Sequence, residues 1–321
     1  MFSCNLGQEK LMANDSHHQN RTVTPNFVPI SSSECIAWLT VLNIEAVSIV
    51  TMNTLAIIIF LKERSLRKGS MYLVISLAVA DMFVPYSMIV VLLVLGNDCS
   101  FWRFDIPKVF ASLAYFFPTA SVTSLVAISL ERMHATFRPF KHRLIEKRMF
   151  GAAVTGVWFT AALYTAIIFF YPLKFANALS LIGVFLIIPL SYSSIVFKIY
   201  CGTHPQHQCA INRERKLTTT LFIVTIVSVI LLLPIGILHI CFYLSSGEWL
   251  ETISHQTRFH LMHSLYCLFY ANSLINPLLY AFKMPQFKRA LFSLFRCRSR
   301  SEPVQVFPLN DMKVVRFRSG N

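Results

Sequence analysis

Charge is what this chain has least of. Only 14% of its 321 residues are Asp, Glu, Lys or Arg, where a soluble domain carries about a quarter. With 55% hydrophobic residues and a mean hydropathy of +0.56, that scarcity excludes an ordinary soluble protein. Acids are scarcer still, 15 against 29 Lys plus Arg, for a net charge of +14. In a soluble protein that excess would suggest nucleic acid; in one this apolar it asks which side of a membrane the charges occupy. Cysteine is thin, eight residues over the whole chain, which excludes a secreted disulfide scaffold. No nucleophile–base set and no metal-ligand spacing is present, so the chain is not read as an enzyme. Nor does an internal repeat pair its two halves, as many transporters would show. Aromatics, by contrast, abound: 28 Phe and 11 Tyr exclude a disordered basic tail as the main content.

A spanning helix needs roughly 20 mostly apolar residues, and seven stretches qualify. Residues 109–130, 149–173, 175–197, 217–247 and 259–282 hold no formal charge, while 35–61 and 69–97 hold one acid each, Glu45 and Asp81. The expected fold is an all-α membrane protein, a seven-transmembrane helix bundle with a short amphipathic eighth helix. Its parts are a tail over 1–35 and a bundle over 36–282, with spans near 36–61, 70–95, 107–133, 149–171, 176–200, 215–244 and 258–282. An amphipathic helix over 283–297 and a tail over 298–321 follow.

Segments 62–68, 132–148, 198–216 and 283–318 hold 23 of the basic residues, and the opposite side holds 6. The positive-inside rule then gives a multi-pass plasma-membrane protein with its N-terminus extracellular and its C-terminus cytoplasmic. Asn14 and Asn20 open glycosylation sequons in the outer tail. That tail lacks the basic-then-apolar order of a cleaved signal, so the first span is expected to serve as the insertion signal. Phe287, Leu291, Phe292 and Phe295 recur at helical spacing beside Lys288, Arg289 and Arg296. This is the pattern of a helix lying on the inner membrane surface. Cys297 follows it, either as a palmitoylation site or as an unmodified thiol. The basic inner face thus meets anionic lipid, and no nucleic-acid partner is expected.

A charge at the bilayer centre costs ~2.5–3.5 kcal/mol on insertion scales, so Asp81 needs partners. Asn53, Ser121, Asn272 and Asn276 fall at matching depths, the last two on one helical face. They could surround the carboxylate with oxygen ligands for water or a small hard cation, or form a hydrogen-bonded knot between helices. At the inner end of the third span stands Glu131-Arg132-Met133, with Glu214 at the start of the sixth as the long-range partner of Arg132. Such a pair can close and open, and Pro234 permits a bend farther out. The alternative is a static surface pair worth at most about 1 kcal/mol.

Taken in order, these residues resemble the rhodopsin-like (class A) G-protein-coupled receptors over about 36–297. Asn53 matches the first-helix asparagine, although Met52 replaces the usual glycine before it. Leu77-Ala78-Val79-Ala80-Asp81 matches the second-helix motif, and Glu131-Arg132-Met133, with Pro139 and Phe140 beyond, a variant of the third. Trp158 and Pro189 match the fourth and fifth helices. Asn276-Pro277-Leu278-Leu279-Tyr280 with Phe287 matches the seventh and its amphipathic continuation.

The resemblance implies an allosteric sodium ion at Asp81, Ser121, Asn272 and Asn276, with Asn53 nearby, and otherwise no cofactor. It implies an ionic lock of Arg132 with Glu214 beside Glu131, and Tyr280 helping to hold the open form. Arg132, Pro139 and Phe140 would lie where a heterotrimeric G protein docks, with arrestin as a further partner. The departures are equally specific. Leu231-Leu232-Leu233-Pro234 replaces the tryptophan-containing motif of the sixth helix, and Phe197 replaces the fifth-helix tyrosine. Pro107 stands where the third helix usually opens with a cysteine, and 172–176 contain none. The usual disulfide is therefore missing, leaving Cys99 to pair with Cys4 or Cys35. A short, cysteine-free second outer loop is similar to that of the melanocortin, cannabinoid and lysophospholipid receptors.

Ala114 stands where amine receptors carry an aspartate, and Tyr270 where opsins carry the retinal lysine. The implied pocket lining is Tyr115, Thr119, Leu181, Phe185, Ile235, His239, Tyr266 and Tyr270. Apolar and aromatic with a few hydroxyls, it suits a lipid, a small neutral molecule or a peptide tip. His239 and His263 could instead titrate near neutral pH, although a hydrogen-bonded structural histidine is the ordinary case. The expected function is a receptor that binds an extracellular non-amine ligand and activates a G protein through outward movement of the sixth helix. The alternatives are a constitutively active, ligand-independent receptor-like protein and a small-solute transporter or channel.

Overall fold

The structure, a computed structural model, describes residues 30–63, 71–138, 142, 147–170, 186–191, 193–195, 208–244 and 253–296. All regular structure among them is helical. The principal helices are α1 (Ser32–Lys62), α2 (Met71–Phe83), α3 (Pro85–Asp98), α4 (Lys108–Leu113), α5 (Phe116–Phe137), α6 (Lys147–Phe170), α7 (Gln208–Leu244), α8 (His255–Lys283) and α9 (Pro285–Arg296). With α2–α3 and α4–α5 each taken as one path, six helices among the described residues are long and apolar enough to cross a membrane. Residues 186–191 and 193–195, inside the expected fifth span, are also helical and apolar. The fold is an all-α seven-helix bundle.

Local chemistry moves several boundaries from their expected places. α1 begins at Ser32, because Ser31 caps it and Glu34 Oε2 accepts from the Ser31 amide (3.1 Å). Residues 32–35, expected in the tail, are therefore helical. Ser254 caps α8 by accepting from the Thr257 amide (3.2 Å). α7 starts at Gln208, seven residues before the expected 215, because hydropathy registers only the part in hydrocarbon. The extension over 208–214 carries Gln208, Ala210, Arg213 and Glu214, all good helix formers.

Proline explains the two internal breaks. Pro85 has no N–H to offer the Asp81 carbonyl, which accepts instead from the Val84 amide (3.1 Å) in a turn between α2 and α3. Pro118 likewise leaves the Ala114 carbonyl without its helical donor, and the chain turns at 114–115 between α4 and α5. The ladder resumes where the Thr119 amide meets the Tyr115 carbonyl (3.1 Å).

α1 packs on α2, α3 and α8; α2 on α5 and α6; α5 on α6 and α7; and α7 on α8. α9 lies against α8 and α1. The polarity is reversed relative to a soluble protein. Phe159 and Phe282 are 68% and 78% exposed, while Asn53, Asp81, Arg132 and Asn276 are completely buried. Only a surrounding apolar medium makes that arrangement favourable.

The loop between α3 and α4 is tightly fastened. Trp102 donates to the Leu93 carbonyl (3.1 Å) and lies so close to Gly96 that a Cβ there would sit 1.9 Å from its ring. Asn97 exchanges two hydrogen bonds with the Phe104 backbone (2.8 and 2.9 Å). Cys99 is bonded to Cys35, one of the two partners left open by the sequence. Cys4 lies outside the described residues. The bridge closes a loop across 64 positions and ties the start of α1 to the end of α3. Replacing both cysteines by serine is expected to lower the thermal unfolding midpoint in detergent. The chain-entropy limit for that loop is about 4 kcal/mol. An unchanged midpoint would show that the noncovalent loop contacts suffice.

Candidate functional site

Several of the expected site residues form a buried polar network centred on Asp81. Its carboxylate is completely buried and held by three donors. Ser121 Oγ (2.6 Å) and Ser273 Oγ (2.8 Å) donate to Oδ1, and Asn276 Nδ2 (2.8 Å) donates to Oδ2. Asn53 Nδ2 donates to the carbonyls of Ile49 and Ser273, both at 3.0 Å. The second contact follows from Pro277, which has no N–H for the carbonyl four residues earlier, that of Ser273. The proline thus frees an acceptor for the side chain of another span.

Asn272 is buried but its Oδ1 accepts no hydrogen bond, and the same holds for Oδ1 of Asn53 and Asn276. Ser273, which sequence reasoning passed over, contacts the carboxylate. Positions 272 and 273 lie four and three residues before Asn276, so helical spacing brings either onto its face. Orphaned acceptor oxygens on residues in or next to this network are the donor type a hard cation requires. Among the described residues there is no His, Cys, Asp and Glu cluster that could hold a metal.

Between Asp81 and the Cys35–Cys99 end of the bundle, the three tyrosines of the expected pocket converge. Tyr115, Tyr266 and Tyr270 lie within electrostatic range of one another. Tyr270 Oη is 3.3 Å from Ser87 Oγ, which also holds the Val84 carbonyl at 2.7 Å. Ile235 is buried beside Leu238 and Leu265, with Tyr266 against them. Thr119 stands on α5 with its carbonyl accepting from Thr123 Oγ1 (2.7 Å). Glu45, to which the sequence assigned no role, is buried with a hydrogen bond to Cys267, and its Oε2 has no partner. Leu181 and Phe185 lie outside the described residues, as does the side chain of His239.

The mouth is closed between α1 and α8. Trp38 Nε1 donates to His260 Nδ1 (3.0 Å), so the imidazole proton sits on Nε2, facing Glu34 Oε1 at 3.3 Å. Gln256 donates to the same oxygen (2.9 Å). His263 is buried, its Nδ1–H donating to the Phe259 carbonyl (2.8 Å). That is the structural form of a histidine.

At the opposite end of the bundle Arg132 is completely buried and pairs with Glu131 through Nε and Nη2. His142 Nε2 lies 2.7 Å from Glu131 Oε1. Glu214 falls on α7 with its side chain outside the described set, and Pro139, Phe140, Cys297, Asn14 and Asn20 are outside it as well. Tyr280 is buried with its ring edge-on to Phe60 (5.7 Å) and Phe287 (6.2 Å), which joins α8 to α1 and α9.

Comparison with known proteins adds a family and relatives. The family model "7 transmembrane receptor (rhodopsin family)" matches residues 52–178 and 171–280. Melanocortin receptor 5 of Homo sapiens is 26% identical over 264 residues, covering 77% of this chain and 80% of its own. That of Bos taurus is 27% identical over 277 residues, covering 80% and 83%. Dopamine receptor 2 of Drosophila melanogaster is 36% identical over 118 residues, covering 33% and 20%.

Ser273→Ala removes one donor from a buried carboxylate and is expected to destabilise the purified protein by about 1–2 kcal/mol. Asn272→Leu, which removes an oxygen that accepts nothing, should be near neutral. Thermal unfolding in detergent orders the two; a larger loss for Asn272→Leu would show that the donor set is not what holds Asp81.

Proposed function

The chain belongs to the rhodopsin family of seven-transmembrane receptors, and on that footing we propose that it transmits the binding of an extracellular non-amine ligand to a heterotrimeric G protein. It is a multi-pass protein of the plasma membrane. In our reading its N-terminus is outside, where Asn14 and Asn20 accept glycans, and Cys297 is palmitoylated inside. Ligand binding would swing the inner part of α7 outward, pivoting near Pro234, and open a surface for the G protein and afterwards arrestin. The chain performs no covalent chemistry in this scheme. It shifts a two-state equilibrium by the ligand's differential affinity for the two states.

One observation carries the reading: Arg132, a full charge, is completely buried at the inner end of α5 and held by its neighbour Glu131. A buried guanidinium must keep an acceptor, so its release from Glu131 requires another partner to take it over, and the two pairings define two states. Glu214 on α7 would be the second restraint. The ligand would occupy the space faced by Tyr115, Thr119, Ile235, Tyr266 and Tyr270, with Leu181, Phe185 and His239 completing it. An amine is disfavoured by Ala114, and the dopamine receptor likeness covers only a third of the chain. A lipid, a neutral small molecule or a peptide tip fits the apolar and hydroxyl-bearing lining.

A second reading, a ligand-independent receptor, is favoured by one feature. Leu232, 1% exposed, fills the place where the family resemblance puts the sixth-helix tryptophan, so a direct lever from ligand to α7 is absent. The experiment that separates the two is a ligand screen against a panel of G-protein dissociation sensors in cells. Ligand-dependent dissociation supports the first reading; high basal signalling that no ligand alters supports the second; no signal in either condition overturns both.

Glu131→Gln and Glu214→Ala should each raise basal dissociation at equal surface expression. The Glu131 effect should be about ten- to a hundredfold in the underlying equilibrium, since a charge-assisted pair contributes ~1.5–3 kcal/mol. Unchanged basal activity in both variants would count against the latch. A sodium ion held by Asp81, Ser121, Ser273 and the amide oxygens of Asn53, Asn272 and Asn276 would favour the inactive form. Basal signalling in membranes should then fall as NaCl replaces a large organic cation, and Asp81→Asn should abolish that dependence. Equal signalling in both salts would make the pocket purely structural.

A further inference from the structure

Near the start of α1 and of α8, a chain of hydrogen bonds crosses between the two helices through one imidazole. Trp38 Nε1 donates to His260 Nδ1 (3.0 Å), and His260 Nε2 faces Glu34 Oε1 at 3.3 Å. Glu34 is held from two further directions, by Gln256 on the same oxygen (2.9 Å) and by the Ser31 amide on Oε2 (3.1 Å). Trp38 brings a single polar atom, a donor with no acceptor capacity. Solvent protons reach the imidazole, since the His260 and Glu34 side chains are 38% and 29% exposed. The titratable groups facing His260 are Glu34 from α1 and His263 from its own helix. His263 has its Nδ1–H committed to the Phe259 carbonyl (2.8 Å). Asp98, at the end of α3, is engaged electrostatically with His255 and Arg258.

A neutral imidazole has one donor and one acceptor, and this site uses both. A protonated one has two donors, so it cannot accept from Trp38. Its contact with Glu34, by contrast, gains from the proton and becomes a charge-assisted pair. Glu34 is fixed by Gln256 and Ser31, so the group that must give way is the indole. We propose that Trp38, His260 and Glu34 form a proton-operated switch between α1 and α8. With neutral His260 the indole is tied to α8; a proton on Nδ1 ends that tie and leaves the Glu34–His260 pair in its place. The Trp38 N–H then turns to water. The change reaches the expected pocket by contact. The Trp38 ring lies 5.7 Å from that of His263, which lies 6.5 Å from Tyr266. Acid therefore loosens the hold of α1 on α8 beside the pocket, in the range of about pH 5 to 8 where histidine titrates. Only the direction from which the protons arrive rests on the receptor reading, with this end of the bundle outside.

The full chain, isotope-labelled at its tryptophan indole nitrogens and purified in detergent, gives one NMR resonance for each of its four indole N–H groups. Trp38→Phe assigns the resonance of Trp38. Between about pH 8 and 5 that resonance should move from a hydrogen-bonded position to that of a water-exposed indole, along a one-proton curve. Trp102 and Trp158 donate to the Leu93 carbonyl and to Ser76 Oγ (3.1 Å each), acceptors that do not titrate, so their resonances should stay in place. His260→Gln, whose amide accepts from Trp38 and donates to Glu34 at any pH, should keep Trp38 in the bonded position throughout. His260→Lys, a cation with no acceptor, should keep it in the acid position throughout. Unmoved Trp102 and Trp158 resonances confirm that each variant is folded. A Trp38 resonance that does not move, a titration that survives in His260→Gln, or a parallel shift of Trp102 and Trp158 would each overturn the switch. Failure of the receptor reading would leave all of these resonances as they are, so the two fail separately.

Discussion

Everything in the middle of this bundle is arranged around one constraint, a carboxylate with no access to water. Asp81 is completely buried, and the three hydrogen bonds it accepts come from two other spans. In hydrocarbon each of those donors is worth more to the bundle than an apolar contact of equal area, because lipid competes for apolar surface and offers no donors. The network therefore sets the relative depth of α2, α5 and α8. Asn53 extends it to α1 through the Ser273 carbonyl. One residue, Ser273, serves both ends, with its hydroxyl on Asp81 and its carbonyl on Asn53.

The prolines are the other half of that arrangement. Each interrupts a ladder and liberates a carbonyl, and at the two positions nearest the site the liberated carbonyls belong to Asp81 and Ser273. At those two positions the irregularities lie beside the polar network, where the freed carbonyls find partners. The same breaks aim the chain: α3 leaves α2 at a new direction and carries Ser87 toward Tyr270.

The spans and the polar residues were legible because apolar runs and helical spacing are direct consequences of hydrocarbon thickness and of 3.6 residues per turn. What was not legible depended on choices that spacing leaves open. Asn272 and Ser273 both share a face with Asn276, and only the rotation of α8 decides which reaches Asp81. Glu131 as the partner of Arg132 was hidden for a different reason, since adjacent helical side chains ordinarily diverge. Here both are held at the buried inner end, and the long Arg side chain folds back to the nearest carboxylate. Helix ends drifted outward wherever caps and polar helix formers extend α1, α7 and α8 beyond the hydrophobic run. Glu45 has no motif around it, so its burial against Cys267 emerges only from the packing of α1 on α8.

The Cys35–Cys99 bridge has a mechanical meaning. Together with Glu34, Gln256 and His260 it welds the neighbouring ends of the first, second and seventh spans into a single rigid jaw. No cysteine exists over 100–120 or 171–196 to fasten the facing spans in the same way. This end of the bundle is therefore fastened covalently on one side, and any widening of it would fall to the third to sixth spans.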